Sequence, residues 1–499
     1  MNRTPNQREN SRARRRPTSV NRTPHPQNGY PDNGYTAPRH QPEPDNAYRF
    51  QAGSPRRTVH PSRQAEQAKT ASRRPMSPQA VQNGNTGVVE ASGWKRQLAK
   101  AEAFWQKDVV RVQGGPDLFM LGLILLLFAL GTVMVFSSSY PLAIKEGKNS
   151  NYYIANQIKF LLMGGAAMAF VTFLPIRFWK KWAPPIAYAV SSVLLLYTAV
   201  AGMAEGVTKR WISVFGLFNL QPSELMKISL VLMLAWYAEK AGKRMHELDR
   251  GVFSYWWNTI VPCLILGPAC VLVLIGKHLS GTIIVGLIGY FTLLIAGSKF
   301  WWLTGTIFPF AAGGLALFLE KNAYALKRIT TKMDDNANIL SDAWQTTQSV
   351  YAIGSGGLFG VGLGQSRQKY SYLGNAHTDF IFSIWCEELG FIAAVVLILL
   401  FLLFIWRGYV IAVRAPDTFT MLTAFGITTH VGLQAFLNMA VASDIIMNTG
   451  VTLPFFSYGG SSTIVLMAEM GILLSISRRS YKKKNDLERE QMRIRAGLD

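Results

Sequence analysis

The residue in this chain best placed to move a proton is Asp379. It stands in the triplet His377-Thr378-Asp379, where a long polar stretch re-enters an apolar run, and Glu387 and Glu388 follow two to three turns deeper. Carboxylates are costly at such a depth, so ionisable groups inside an apolar run are functional candidates by default. A carboxylate in this position can draw a proton from an attacking hydroxyl or hold a divalent cation, Mg2+ or Mn2+, and both roles stand open. Lys209, Arg210, Lys277, Arg328, Arg367 and Lys369 are the cations available to meet an anionic substrate group. Just upstream of the triplet, the glycine-rich run GSGGLFGVGLG permits close backbone approaches that a Cβ resists. It is neither a P-loop nor a dinucleotide-binding fingerprint.

The elements that must position these residues are apolar helices. About half of the 499 residues are apolar, and they are clustered into stretches long enough to cross a membrane. These stretches lack the period-two alternation of barrel strands, so the fold class is all-α, a polytopic membrane protein of about ten transmembrane helices. The spans fall at about 118–138, 152–174, 182–201, 225–237, 257–275, 281–297, 300–319, 381–406, 420–442 and 462–476. The transmembrane domain is expected over 113–480, with a large extracellular loop, 320–376, between helices seven and eight. Residues 481–499 form a cytoplasmic C-terminal tail.

Net charge is +22, and residues 1–112 hold roughly twenty Lys and Arg against about eight acids. This stretch is rich in Pro, Arg, Asn, Gln and Ser and too poor in aliphatics to bury a core, so it reads as a disordered basic cytoplasmic tail. Within it, Trp94, Leu98, Phe104, Trp105 and Val109 recur near helical spacing among Lys and Arg, which predicts an interfacial helix over 93–112. Nothing resembles a folded nucleic-acid reader, so no nucleic-acid partner is expected. Cys263, Cys270 and Cys386 lie in apolar runs without metal spacing and read as small core residues. No apolar signal peptide opens the chain.

The densest Lys and Arg clusters in short loops follow the even-numbered spans and flank the two tails, which puts both termini in the cytoplasm. Arg210-Trp211, Lys277-His278, Gln345–Asp379 and Asp444–Tyr458 then converge on the outer face. No nucleotide supply exists there, so a bond-forming site needs activation carried by its substrate. A lipid-linked pyrophosphate fits: its tail partitions into the bilayer, cations hold the diphosphate, and a carboxylate deprotonates the acceptor.

Six motifs in register now support a family comparison: KRWI at 209–212, QPSELMK at 221–227, AIGSGGLFGVGLG at 352–364, AHTDFIF at 376–382, EELG at 387–390 and TLPFFSYGGSS at 452–462. Together, over about 118–479, they resemble the SEDS family of shape, elongation, division and sporulation proteins (FtsW, RodA, SpoVE). The resemblance implies the ten-helix SEDS fold in the bacterial cytoplasmic membrane. It also implies a peptidoglycan glycosyltransferase that polymerises lipid II (undecaprenyl-pyrophosphate disaccharide-pentapeptide) into glycan strands and releases undecaprenyl diphosphate. A class B penicillin-binding transpeptidase and divisome proteins are the implied partners. The basic tail and the TLPFFSYGGSS run incline toward the cell-division branch, at the septum, over the elongation and sporulation branches. A lipid II flippase, with Lys159, Glu224 and Lys227 along a transport path, is the alternative from another class, as is a scaffold without chemistry.

By resemblance Asp379 matches the loop Asp on which activity depends, and Trp211 matches a functionally important tryptophan. Arg210 and Lys277 are expected to bind the pyrophosphate, and His377 to orient Asp379 or touch substrate. Glu224 and Lys227, three apart on one helix face, are either an ion pair or a substrate contact. An Asp at a helix N-terminus also commonly acts as a cap. Glu387 and Glu388 are expected to be structural, paired with Lys159 or an internal Arg, and His430 and Glu469 to hydrogen-bond within the bundle. Where many members read QPDLGT, this chain reads KHLSGT at 277–282.

Overall fold

The computed structural model describes residues 109–483, with gaps at 112–113, 202, 206–207, 215–217, 248–254, 277, 322–343, 371, 449 and 480. The basic tail therefore lies outside the described residues, as does most of the interfacial helix expected over 93–112. The end of that segment, Val109–Arg111 (β1), is a strand rather than a helix.

The helices are α1 (Leu118–Lys145), α2 (Tyr152–Phe173), the short α3 (Ile176–Lys181), α4 (Ala183–Ala201), α5 (Pro222–Glu247) and α6 (Val261–Ile275), the last entered through a π-turn at Trp256–Ile260. They continue as α7 (Leu279–Ile295), α8 (Phe300–Lys321), α9 (Trp344–Ser355), α10 (Ile381–Val413), α11 (Thr418–Ala442) and α12 (Gly460–Ser477). Among the described residues, six of these are long and apolar enough to cross a membrane by length and composition: α1, α2, α4, the π-turn with α6, α10 and α12. Helix α7, at 17 residues, is simply short, and two further long helices are polar for a physical reason. Helix α11 is sheathed by its neighbours and buries Thr423, Thr428, Thr429, His430, Gln434 and Asn438, so it can be polar where a lipid-facing helix cannot. Helix α5 likewise carries Glu224 and Lys227 inward.

Packing divides into two cores. One gathers α1, α2, α10, α11 and α12 around Phe380, Phe401, Phe404 and Phe456. The other gathers α4, α5, α6, α7 and α8 around Met226, Leu230, Leu234 and Leu266. Helix α11 lies against α5 and α7 as well as α10, so it seams the two halves.

Helix α10 is broken at Gly390, whose φ of 80° and ψ of −175° leave the helical region. The break exposes backbone groups that need partners at membrane depth. The glycine-rich run supplies them. Val361 and Gly362 N–H donate to the carbonyls of Glu387 and Glu388 (3.0 Å each), and Phe391 N–H donates to Gly357 O (2.9 Å). Only glycine fits the contact, because a Cβ at Gly356 or Gly360 would collide with the Cys386 or Glu388 carbonyl. Leu358, Phe359, Val361 and Leu363 meanwhile point outward. The stretch expected to be an extracellular loop is thus structured in its described part. Helix α9 packs on α10 and α11, with Ser349 Oγ donating to Ala442 O (2.6 Å).

A second departure lies between α4 and α5. The loop expected there is an antiparallel three-stranded sheet of Met203–Glu205 (β2), Thr208–Val214 (β3) and Phe218–Leu220 (β4), in that order. Its Thr, Trp, Ile and Val residues suit strands, and pairing satisfies backbone that no helix contains.

The opposite end of the bundle is closed by the chain's flanks. Strand β1 pairs with Tyr481–Lys483 (β5), Gly114 N–H donates to Arg478 O (2.9 Å), and Asp117 both caps α1 and binds Arg407 (2.6 Å). Both flanks of the membrane domain therefore sit at the C-terminal end of α10, and Asp379 at its N-terminal end.

Candidate functional site

Asp379 is the residue immediately before Phe380, the N-cap of α10, yet no side chain caps that helix. Its backbone is held from three sides. Asn438 Nδ2, on the seam helix, donates to Asp379 O (2.7 Å) and to Val451 O (2.6 Å). Ser457 Oγ donates to Thr378 O (2.6 Å), and Tyr458 N–H donates to His377 O (2.9 Å). Its carboxylate, by contrast, accepts no hydrogen bond from any described residue. The loop before α12 passes over it at Gly450, where φ is +66° and an added Cβ would stand 3.6 Å from Asp379 Oδ2. Burial pushes the Asp379 pKa up to about 6, and the nearby Arg210 guanidinium opposes that rise only in part.

Arg210 reaches the site from β3, with Nε donating to Gly276 O (3.3 Å) at the α6–α7 turn. That turn also delivers His278, whose Nδ1 lies 3.3 Å from Ser223 Oγ at the start of α5. Burial and the charge of Arg210 hold His278 down at about 3, so its ring is neutral. Gly281 makes room for that ring, since a Cβ there would strike it. One turn along α5, Glu224 and Lys227 form a buried ion pair (2.7 Å), the inward i,i+3 arrangement read from the sequence. Arg210 thus stands between Asp379 on one side and His278, Ser223, Glu224 and Lys227 on the other, joining segments around 210–227, 278 and 379.

Other expected site residues are placed differently. Lys277 lies outside the described residues. Trp211 follows Arg210 along β3, where the pairing with β2 slips by one residue: Met203 stands opposite Trp211 and Ala204 opposite Lys209, leaving Arg210 as the extra residue. The His377 ring does not orient Asp379. It packs against Tyr153 (5.2 Å) and Tyr458 (5.7 Å), where burial lowers its pKa to about 4, and lines a separate cavity of about 130 Å³ with Ser138, Lys145 and Asn375.

Glu387 and Glu388 are held by hydrogen bonds and a cation, as expected, but Lys159 is exposed on α2 and the one arginine contact, Arg367, is made through its backbone N–H. Glu388 binds Lys369 Nζ (2.7 Å) and accepts from Ser137 Oγ (2.7 Å), and Glu387 accepts from Ser366 Oγ and from Arg367 N–H (2.9 Å). His430 and Glu469 do hydrogen-bond within the bundle (2.9 Å).

Sequence reasoning missed three residues at the site, Ser223, His278 and Asn438, the first lying unremarked inside the QPSELMK motif. His278 was visible beside Lys277, and its position at the end of a five-residue turn was the available signal. Asn438 gave no signal beyond being a polar residue in an apolar helix. No group of three or more potential metal ligands occurs among the described residues. A carboxylate that no described residue donates to, with a guanidinium nearby, can accept a proton from a hydroxyl while the cations hold an anionic leaving group.

Comparison with known proteins gives a consistent result. The family model described as "Cell cycle protein", covering FtsW, RodA and SpoVE, matches residues 117–482. A probable peptidoglycan glycosyltransferase FtsW of Geobacter sp. (strain M18) is 37% identical over 368 residues, 73% of this chain and 97% of that protein. Stage V sporulation protein E of Bacillus subtilis (strain 168) is 36% identical, over 73% of this chain and 98% of that protein. Among solved structures, a peptidoglycan synthase complex described as coordinating polymerization and crosslinking contains a similar chain (TM-score 0.59, 27% identity, 73% and 98% coverage). The rod-shape-determining protein RodA of Thermus thermophilus is similar as well (TM-score 0.54, 28% identity, 74% and 98% coverage).

Proposed function

The chain belongs to the FtsW, RodA and SpoVE family of cell cycle proteins, and from that membership we infer that it is a peptidoglycan glycosyltransferase of the bacterial cytoplasmic membrane. It polymerises lipid II at the outer face during septal wall synthesis and cell division, with both termini cytoplasmic. It works beside a class B penicillin-binding transpeptidase and divisome proteins. The observation that carries the reading of the site is the Asp379 carboxylate, pinned through its backbone, without a hydrogen-bond donor among the described residues and pushed up to about 6.

In the reaction, the Asp379 carboxylate takes the proton of the acceptor sugar's 4-hydroxyl as that oxygen attacks the donor's anomeric carbon. The bond to the diphosphate breaks with inversion, and the leaving undecaprenyl diphosphate meets Arg210 and Lys227, whose charges stabilise it. Neutral His278 lines the approach without adding charge. Should a divalent cation serve the diphosphate, Asp379 is the carboxylate that would hold it and the ion would neutralise the leaving group.

The test is reconstitution with labelled lipid II, alone and with a class B partner. Strand synthesis by the unaltered protein and its loss in Asp379→Asn, at equal folded yield, is the expected result. Lipid scrambling without polymer, or full synthesis by the Asn variant, overturns the reading. A tagged copy is expected at midcell, and uniform side-wall labelling would move the chain to the elongation branch.

A further inference from the structure

Behind Lys227 lies a row of buried polar side chains, Gln434, His430 and Glu469, that the reaction as described does not use. Lys227 Nζ donates to Glu224 Oε2 (2.7 Å) and to Gln434 Oε1 (2.7 Å). Gln434 Nε2 donates to the carbonyl (3.1 Å) and hydroxyl (3.0 Å) of Thr452, which fixes the end of the amide that is oxygen. His430 Nε2 lies 2.8 Å from that same oxygen, and His430 Nδ1 lies 2.9 Å from Glu469 Oε2. His430 and Glu469 are almost fully buried, and Glu469 Oε1 has no hydrogen-bond partner among the described residues.

Donors and acceptors can now be counted. Both ring nitrogens of His430 face oxygens, one of an amide and one of a carboxylate. A neutral imidazole beside an ionised carboxylate would aim one bare lone pair at an oxygen lone pair, deep in the bundle. The arrangement is satisfied only if Nε2 carries hydrogen and one more proton sits in the contact between Nδ1 and Oε2. That count also removes net charge from the core: Glu224 cancels Lys227, and the proton cancels Glu469.

We propose that His430 is a positioning residue for substrate binding. Its Nε2–H and Lys227 share Gln434 Oε1, so the amide is anchored at both ends and holds the Lys227 ammonium from behind. Lys227 has three hydrogens, and two of them meet Glu224 and Gln434. The third is kept for an oxygen of the substrate's anionic headgroup. The groups facing His430 are Glu224 and Lys227 from α5, Gln434 on its own helix and Glu469 from α12. The assignment of a diphosphate to Lys227 rests on the proposed function, whereas the proton count stands on hydrogen-bond geometry alone.

The experiment uses the full chain in nanodiscs with 15N-labelled histidine, the His430 signal being assigned by its loss in His430→Leu. A protonated Nε2 in the unaltered protein is expected, and a bare Nε2 overturns the proposal. Binding of undecaprenyl diphosphate, measured on the folded fraction, should weaken about tenfold in His430→Leu, the loss of one hydrogen bond within a charged row. Glu469→Gln in the otherwise unaltered protein, whose amide donates into Nδ1 and keeps Nε2–H on Gln434, should lose much less binding than His430→Leu. Unchanged diphosphate binding in His430→Leu, or equal losses in the two variants, overturns the positioning role. Because binding is read without turnover, a protein that binds the diphosphate yet makes no strands refutes the glycosyltransferase reading and leaves this test standing.

Discussion

Two groups of carboxylates lie near the N-terminal end of α10, and they are held in opposite ways. Glu387 and Glu388 are surrounded by donors: a lysine, two serine hydroxyls and the backbone N–H groups of Ser366 and Arg367, just after the glycine-rich run. Asp379, two to three turns toward the mouth, has its backbone tied down by Asn438 while its carboxylate accepts nothing from the described residues. A carboxylate with every lone pair in use is a fastener. One that is desolvated, close to a cation and without donors is raised in pKa and ready to take a proton. Burial alone would have ranked the two glutamates higher, so it is the supply of donors that separates structure from chemistry here.

The sharpest way to break that contrast is Asp379→Asn. Strand synthesis should fall by about 10²–10⁴-fold, the range for loss of a general base. The variant should also melt no lower than the unaltered protein. A folded-state pKa raised above the usual carboxylate value means that the ionised form burdens the native state as pH rises, and the amide removes that burden. Activity close to normal would place Asp379 among the fasteners.

Lys369→Met should do the reverse. It leaves Glu388 buried without its cation, which typically costs about 3–5 kcal/mol, so detergent melting should fall steeply while turnover per folded molecule changes little. Adding Glu388→Gln should restore much of the loss. A Lys369→Met protein of normal melting temperature and low turnover would instead bring this pair into the reaction.

Gly390→Ala tests the break that lets the glycine-rich run dock. Its φ of 80° disfavours any Cβ, and the added carbon would also meet the Leu358 carbonyl (2.5 Å), so a loss of about 1–3 kcal/mol is expected in thermal melting.

The smallest effect is the pH profile. A base titrating at about 6 is active when deprotonated, so strand synthesis should rise through pH 6 to a plateau and be about tenfold lower at pH 5. Asp379→Asn should flatten that limb. A profile with no limb near 6 would separate the burial of Asp379 from its role.

Much of the architecture was legible in the sequence, because hydropathy is a local property. Each apolar stretch reports its own preference for lipid, and the observed helices begin close to the stretches read from the chain, as Leu279–Ile295 does against 281–297, though α1, α5 and α10 run seven to ten residues past the expected ends. The strands between α4 and α5 were missed because short polar-aromatic segments carry no periodicity strong enough to separate strand from loop. The i,i+3 pair Glu224–Lys227 was legible for the same local reason as the spans.

The partners were not legible. Ser137 and Glu388 are 251 residues apart, Lys227 and Gln434 are 207, and Asp117 and Arg407 are 290. Nothing in the neighbourhood of Glu388 announces that Lys369 will fold back to neutralise it while Arg210 arrives from a strand to stand near Asp379. The sequence by itself determined which segments prefer hydrocarbon and which residue types are available at the mouth. Tertiary structure decided which carboxylate is saturated and which is left unsatisfied. Hydrogen bonds and charge pairs are set by distances in space, and the chain brings those distances about only when α11 closes the two halves on each other.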